Sequence, residues 1–241
     1  MSGINYIKYR IKFEKTGISK YLSHLDLNRL FSRSLARAKI DVAHTEGFNP
    51  HPKIVFASAI SLGIESFCEF ADVKININVG ATIGRPLPND NNDNENHIFY
   101  TDAHCAPLQI YEKIKNVFPQ GINIKEIYIP ETEFKEIDTT RFYIFFSPDD
   151  YEADEIIEMF KNDVFVEKKP GIVINLKDYI RDISISDKLH SYKFIDCIIK
   201  TNQEMFLNPE NIVKAINLKY NTDDYFIQKI ESYDKNGKVF K

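Results

Sequence analysis

Most residues that could do chemistry in this sequence lie between positions 15 and 66. His24, His51 and Asp26 could act as general acid–base groups, and the two prolines beside His51 restrict its backbone. Two histidines and an aspartate at no recognised spacing are a poor pattern for a metal site. A structural role, a binding site and a catalytic site are each compatible with these residues. The candidate binding residues are Lys15, Tyr21, Ser23, His24, Asp26, Arg29, Arg33, Arg37, Asn49, His51, Lys53 and Glu65.

Four of these residues are expected to form one polar cluster. The turn at residues 47–52 is predicted to return toward the start of the first helix. His24, Asp26, Asn49 and His51 would then face the free N–H groups of that helix start, which favour an anion. We therefore predict that the cluster binds an anion first and is catalytic only if a further acid–base group joins it.

A strand and a helix must position these side chains. Residues 4–14 alternate apolar and charged side chains, which predicts a half-buried strand that ends before Gly17. Ser23 stands three residues before Asp26, as in a capping box. Apolar residues then recur every three or four positions up to Ala38, which predicts an amphipathic helix of about 16 residues.

The predicted helix carries Arg29, Arg33 and Arg37 along one face, because the three arginines are four residues apart. Such a stripe can be an ordinary solvated face, and it can also be a surface that binds phosphate groups. The preceding basic strand favours the second interpretation. No aromatic motif for stacking bases occurs on a predicted strand, so recognition of a specific RNA sequence is not supported.

The order of the predicted elements indicates the α+β class. In the first half, strands at 41–47, 54–62, 69–78 and 122–129 and a helix at 108–118 follow, which is a β-α-β-β-α-β order with one additional strand. The order recurs in strands at 142–146, 164–168, 172–185, 194–200 and 225–233, with helices at 151–161 and after residue 208. We predict two tandem ferredoxin-like (βαββαβ) domains, 1–129 and 141–241, joined by a linker at 130–140. The Asn-rich stretch near 79–106 is predicted to be a mobile loop insertion.

Charge is unevenly distributed along the chain. The net charge is -4, yet residues 1–53 hold ten Lys and Arg and four acidic residues, which gives +6 there and -10 in the remainder. A basic segment on an acidic chain suggests an anionic partner.

Several classes of site are not expected. The three cysteines are far apart and form no CxxC pattern, which argues against an iron–sulfur cluster, a structural zinc or a disulfide framework. No run of about 18 apolar residues and no glycine-rich phosphate loop occurs. We therefore expect a cytoplasmic protein that holds no metal or cofactor of its own and does not enter a membrane.

Four motifs in this segment closely resemble the radical-SAM-linked domain family. Members of that family read K-x-G, (F/Y)LSHLDLxR, GFNPHP(K/R) and (L/V)G-x-ES in this order. The matching stretches here are residues 15–17, 21–29, 47–53 and 62–66. The resemblance is close over residues 4–78 and loose over residues 108–233. The stretch 79–106 departs from the short connection expected there.

This resemblance implies an accessory protein encoded beside, or fused to, a radical S-adenosylmethionine (SAM) enzyme. The iron–sulfur cluster and S-adenosylmethionine would belong to that partner enzyme. We expect a protein without catalytic activity of its own that docks on the enzyme and presents its substrate, RNA or a ribosomal component. The alternative is a metal-independent RNA endonuclease that uses His24 or His51, because the layout of the first half is also similar to ferredoxin-like RNA-processing proteins of CRISPR systems.

Overall fold

The computed structural model describes residues 6–76, 106–146, 153–189, 192–220 and 224–241. Over these ranges the chain is α+β, with four α-helices and ten strands. It divides into two compact units. Unit 1 comprises Met1–Glu14, Leu22–Ala59 and Glu69–Pro130, and unit 2 comprises Lys15–Tyr21, Ile60–Cys68 and Glu131–Lys241. Residues 79–105, the bulk of the predicted Asn-rich loop, lie outside the described ranges.

Unit 1 packs two helices against a small sheet. Its elements are β1 (Tyr6–Lys15), α1 (His24–Arg37), β2 (Ile54–Phe56), β3 (Glu65–Asn76), α2 (Ala106–Ile114) and β4 (Ile122–Tyr128). The strand order is β4-β1-β3, and β2 pairs antiparallel with the outer side of β3. The alternation in β1 places Tyr9, Ile11 and Phe13 in the core with Phe31 of α1. The rings of Phe13 and Phe31 lie 4.8 Å apart between centroids, so the predicted strand and helix meet through one aromatic contact.

Unit 2 has a larger sheet and its own core. Its elements are β5 (Ile137–Phe146), α3 (Ala153–Lys161), β6 (Phe165–Lys169), β7 (Ile172–Asn175), β8 (Ile180–Leu189), β9 (Tyr192–Lys200), α4 (Glu210–Asn217) and β10 (Tyr225–Asp234). The order β10-β5-β9-β8 is antiparallel throughout, and β6 and β7 form a separate hairpin. At the start of β3, Glu65 and Ser66 pair in parallel with Gln228 and Lys229 of β10.

Two predicted strands in unit 1 are shorter than expected. Residues 41–47 form no continuous strand, because Val42 and His44 each make a single bridge, to Ile75 and Pro52. The apolar run at 54–62 contains only the three residues of β2. It cannot continue as one strand because Ile60, near its end, packs against the core of unit 2.

Two further boundaries differ in unit 2. The predicted strand 172–185 is interrupted by a short 3-10 turn at Leu176–Asp178, where Leu176 is fully buried and the Asn175 side chain accepts the Lys177 N–H at 3.2 Å. Strand β5 begins at Ile137, within the range predicted to be a linker. Polar composition suggested a linker there, yet Thr139 and Thr140 are buried and pair with β9. Within the described ranges, every helix is too short or too polar to cross a lipid bilayer.

Candidate functional site

The start of α1 is closed by its own side chains. Ser23 Oγ accepts a hydrogen bond from the Asp26 N–H at 3.1 Å and donates one to Asp26 Oδ2 at 2.6 Å. Arg29 Nη1 lies 3.5 Å from Asp26 Oδ1. The carboxylate in the first turn also offsets the helix dipole. The predicted cap at Ser23 is confirmed, and these bonds give Ser23 and Asp26 a structural role.

The rest of α1 separates an apolar face from a basic one. Leu27, Phe31 and Leu35 are buried in the core of unit 1, whereas Arg29, Arg33 and Arg37 are exposed. Arg33 and Arg37 have no ion pair with a carboxylate of the described residues. The helix therefore presents three guanidinium groups along one face, two of them available to an anionic ligand.

His24 packs on the edge of the core. Its ring meets the ring of Phe56 edge to face, with 5.5 Å between centroids and 76° between planes. Phe56 is buried, while His24 is exposed. The contact fixes one side of the imidazole and leaves the remainder in solvent.

The segment with the third motif, residues 47–53, forms a closed loop. The Thr45 N–H donates to the His51 carbonyl at 2.8 Å, and the His51 N–H donates to Thr45 Oγ1 at 2.9 Å. At the tip, Gly47 has a φ of 120°, which a residue with a side chain rarely adopts. Phe48 is fully exposed, and Asn49 and His51 are exposed as well. The loop thus holds an aromatic ring and an imidazole in solvent on a backbone fixed at its base.

Contacts between the described residues do not join the four members of the predicted polar cluster. Among the described residues, no hydrogen bond, ion pair or ring contact links His24 or Asp26 to Asn49 or His51. Neither imidazole is hydrogen bonded to a carboxylate or hydroxyl of the described chain. A general base is usually oriented by a second group of that kind, and the described residues supply none to either imidazole. The cluster as a binding site stays a prediction.

The first and last motifs meet in unit 2 through a structural clasp. Glu65 Oε1 accepts the Gly17 N–H at 3.0 Å, and Glu65 Oε2 accepts from Gln228 Nε2 at 3.3 Å. The Gly63 N–H donates to the Lys20 carbonyl at 3.1 Å. Gly17 has a φ of 56°, in the left-handed region that favours glycine. Because Glu65 bonds the backbone and a neighbouring strand, its first role is to hold this turn.

The clasp carries an apolar patch, formed by Ile18, Tyr21 and Leu62. These side chains are 80%, 63% and 58% exposed. The ammonium group of Lys20 lies 5.4 Å from the centroid of the Tyr21 ring. Three large apolar side chains in solvent on a backbone held by hydrogen bonds are typical of a contact surface for another protein.

The two remaining candidates lie in different environments. Lys15, at the end of β1, is buried with 1% exposure, so a ligand in solvent cannot reach it. Lys53 lies just before β2, and its ammonium nitrogen is 5.3 Å from the centroid of the Tyr6 ring. Tyr6 and Lys74 beside it were not predicted as site residues. The pairing of Lys53 with Lys74 depends on strand register, which the sequence does not reveal.

The cysteines that the structure describes are part of the cores. Cys68 donates to Glu231 Oε1 at 3.1 Å, and burial raises the pKa of the Cys197 thiol well above its usual range. Cys105 lies outside the described residues. In the portion of the chain that is described, no three His, Cys, Asp or Glu side chains come together as metal ligands.

Comparison with known proteins places the motifs within one matched segment. Residues 8–85 match a family model described as "Uncharacterized protein conserved in bacteria (DUF2344)". All the predicted site residues fall inside this range. The match supports a domain of unknown function and assigns no activity.

Two further comparisons add little. No curated protein matches the sequence. A crystal structure of an unknown protein from Galdieria sulphuraria is 9% identical over 93% of this chain and 99% of that chain, with a TM-score of 0.24. That TM-score is too low for the likeness to bear on fold or function.

Proposed function

We propose that this chain is a cytoplasmic accessory protein that docks on a radical SAM enzyme and presents an RNA or ribosomal substrate to it. Docking would use the apolar patch of unit 2, and the substrate would contact the basic face of α1 in unit 1. The iron–sulfur cluster and S-adenosylmethionine would be held by the partner enzyme. The motifs that resemble the radical-SAM-linked domain family motivate the choice of partner.

The observation that carries the proposal is the exposure of apolar side chains in and beside the motifs. Ile18, Tyr21 and Leu62 neither enter the core of unit 2 nor bond its backbone through their side chains. The clasp between Gly17 and Glu65 fixes the backbone that bears them. Rigid aromatic and aliphatic side chains lose little conformational entropy on binding, so they are effective anchors for a protein partner.

The anionic substrate is supported by the charges of α1. Arg33 and Arg37 are exposed and have no described carboxylate partner, while Arg29 shares only a 3.5 Å contact with Asp26. Guanidinium groups bind phosphate oxygens through paired hydrogen bonds. The surface would bind RNA by its backbone rather than by its sequence.

The proposal includes the finer fold assignment, a ferredoxin-like topology for each unit. In unit 1, β1 lies beside β3, with β4 outside β1 and β2 outside β3. In unit 2, β5 lies beside β9, with β10 outside β5 and β8 outside β9. This common order supports the same topology in both, with the β6-β7 hairpin added in unit 2.

The docking proposal is tested by co-purifying the full chain with the radical SAM enzyme encoded beside it and measuring affinity by calorimetry. We expect Leu62→Ser to weaken binding by about tenfold or more, since an exposed anchor residue becomes polar. Leu218→Ser is the matched control, because Leu218 is 77% exposed in unit 2 outside the family match. Equal affinity for both variants would contradict docking through the patch.

The endonuclease alternative makes a different prediction. The isolated chain would cleave RNA in the presence of a metal chelator, and His51→Ala would abolish cleavage while RNA binding persists. His24→Ala serves as the comparison for the second imidazole. Absence of cleavage by the wild-type chain alone, together with binding to the enzyme, would support the accessory role.

A further inference from the structure

Two lysines face each other across the pairing of β2 with β3 in unit 1. The Lys74 N–H donates to the Lys53 carbonyl at 3.1 Å, one position before the pair of Ile54 with Val73. Directly opposed residues on neighbouring antiparallel strands project to the same side of the sheet, and like charges there are destabilising. Something must therefore compensate for two ammonium groups at this position.

The ring of Tyr6 compensates for part of this charge. The ammonium nitrogens of Lys53 and Lys74 lie 5.3 Å and 4.7 Å from the Tyr6 ring centroid, and Lys74 Nζ donates to the phenol oxygen at 3.0 Å. The face of an aromatic ring attracts cations. The hydrogen bond from Lys74, together with the charges of both lysines, lowers the pKa of the Tyr6 phenol from its ordinary value.

Two cations on β1, the strand beside β3, are neutralised differently. Arg10 Nε and Lys8 Nζ lie 2.7 Å and 3.8 Å from oxygens of the Asp72 carboxylate. Lys53 and Lys74, in contrast, have no ion pair with any carboxylate that the structure describes. Asp72 is already shared between two cations, and no other carboxylate of the described residues pairs with Lys53 or Lys74 beside Tyr6.

We propose that Lys53, Lys74 and Tyr6 form a binding site for a phosphate group. The two ammonium groups neutralise the anion, and the phenol O–H, which accepts from Lys74, donates its own proton to a phosphate oxygen. The phosphate belongs to a free anion, a nucleotide or the backbone of RNA. The site uses neither the apolar patch nor the arginines of α1, so it stands apart from the proposed function.

A titration of Tyr6 tests the site in the full chain. The difference in ultraviolet absorbance between wild type and Tyr6→Phe isolates this phenol among the 13 tyrosines. Inorganic phosphate, added at constant ionic strength against chloride, should raise the pKa of Tyr6 toward its ordinary value, because a bound anion offsets the two ammonium charges. The response should be absent in Lys53→Gln/Lys74→Gln. An identical Tyr6 titration in phosphate and in chloride would overturn the proposal for free phosphate.

Binding measurements separate the three sources of the phosphate group. The probes are inorganic phosphate, a nucleoside 5′-monophosphate and a short RNA without a terminal phosphate. For the probe that binds here, each lysine removed should weaken binding by roughly fivefold, the upper range for an exposed ion pair. Lys125→Gln is the control, since Lys125 is paired with Glu14 at 2.8 Å in the same unit. If the double variant binds all three probes as tightly as the control, the site does not exist, whatever the outcome of the docking experiment.

Discussion

The two parts of the motif-bearing segment present different chemistry to solvent. In unit 1 most exposed motif side chains are polar or charged, among them Arg29, His24 and His51, although Leu25 and Phe48 are also exposed. In unit 2 the exposed motif side chains are Tyr21 and Leu62 of the patch, and Lys20 lies beside the Tyr21 ring. A polar, basic surface suits an anionic partner, and an apolar one suits a protein.

The comparison also separates structural from exposed polar residues. Ser23 and Glu65 each bind a backbone N–H, the first at the start of α1 and the second at Gly17. Both would be selected as functional by residue type alone, yet both have structural roles. The candidate binding residues that remain are exposed side chains that bond no backbone N–H. Their chemistry differs between the two units.

The largest effect on stability is expected at Phe31, which packs helix α1 against the core of unit 1. Phe31 is fully buried, and its ring lies 4.8 Å, 5.1 Å and 4.7 Å from the rings of Phe13, Phe56 and Phe118. Phe31→Ala should lower the free energy of unfolding by about 3–5 kcal/mol, because it leaves a cavity in the aromatic core. Arg33→Ala on the exposed side of the same helix should change it by less than about 0.5 kcal/mol. Denaturant unfolding measures both, and similar values would show that α1 is not held by this contact.

A smaller effect is expected at the clasp of unit 2. Glu65→Ala leaves the Gly17 N–H and the Gln228 amide without their acceptor. We expect a loss of about 0.5–1.5 kcal/mol in the free energy of unfolding, the net contribution of a typical hydrogen bond, because water can reach the exposed Gly17 N–H. Glu65→Gln, which keeps one acceptor oxygen, should recover part of the loss. Glu204→Ala, at an exposed glutamate of the same unit, should be close to neutral in the same unfolding experiment.

Substitution of the three arginines on α1 should have the smallest effect on stability. It should have a clear effect on RNA binding. Replacing Arg29, Arg33 and Arg37 with Ala removes three guanidinium groups that could each neutralise a phosphate. The slope of log affinity for single-stranded RNA against log salt should then fall by about 0.7 for each phosphate that is no longer neutralised. The matched triple variant changes three exposed lysines of unit 2, Lys214, Lys235 and Lys238. An unchanged slope in the arginine variant would show that the stripe is only a solvated face.

The local sequence pattern was sufficient to predict the elements whose apolar residues recur at a regular spacing. The alternation at residues 4–14 and the three- and four-residue spacing after Ser23 correspond to β1 and α1, and the cap is where the motif indicated. The strand predicted at residues 41–47 was wrong, and the strand predicted at 54–62 was too long. There, β-forming residues pair at single positions or turn toward a different core, and composition cannot distinguish these outcomes.

The sequence by itself determined the α+β class, the first strand and helix, the cap at Ser23 and the basic character of the N-terminal segment. Each of these depends on residues within a few positions of one another, where spacing and side-chain type suffice. Only the tertiary structure decided that Glu65 meets Gln228, 163 residues away, and that Lys53 faces Lys74 beside Tyr6. Such contacts depend on strand register and on which strands are neighbours, and these are set by the packing of the whole chain.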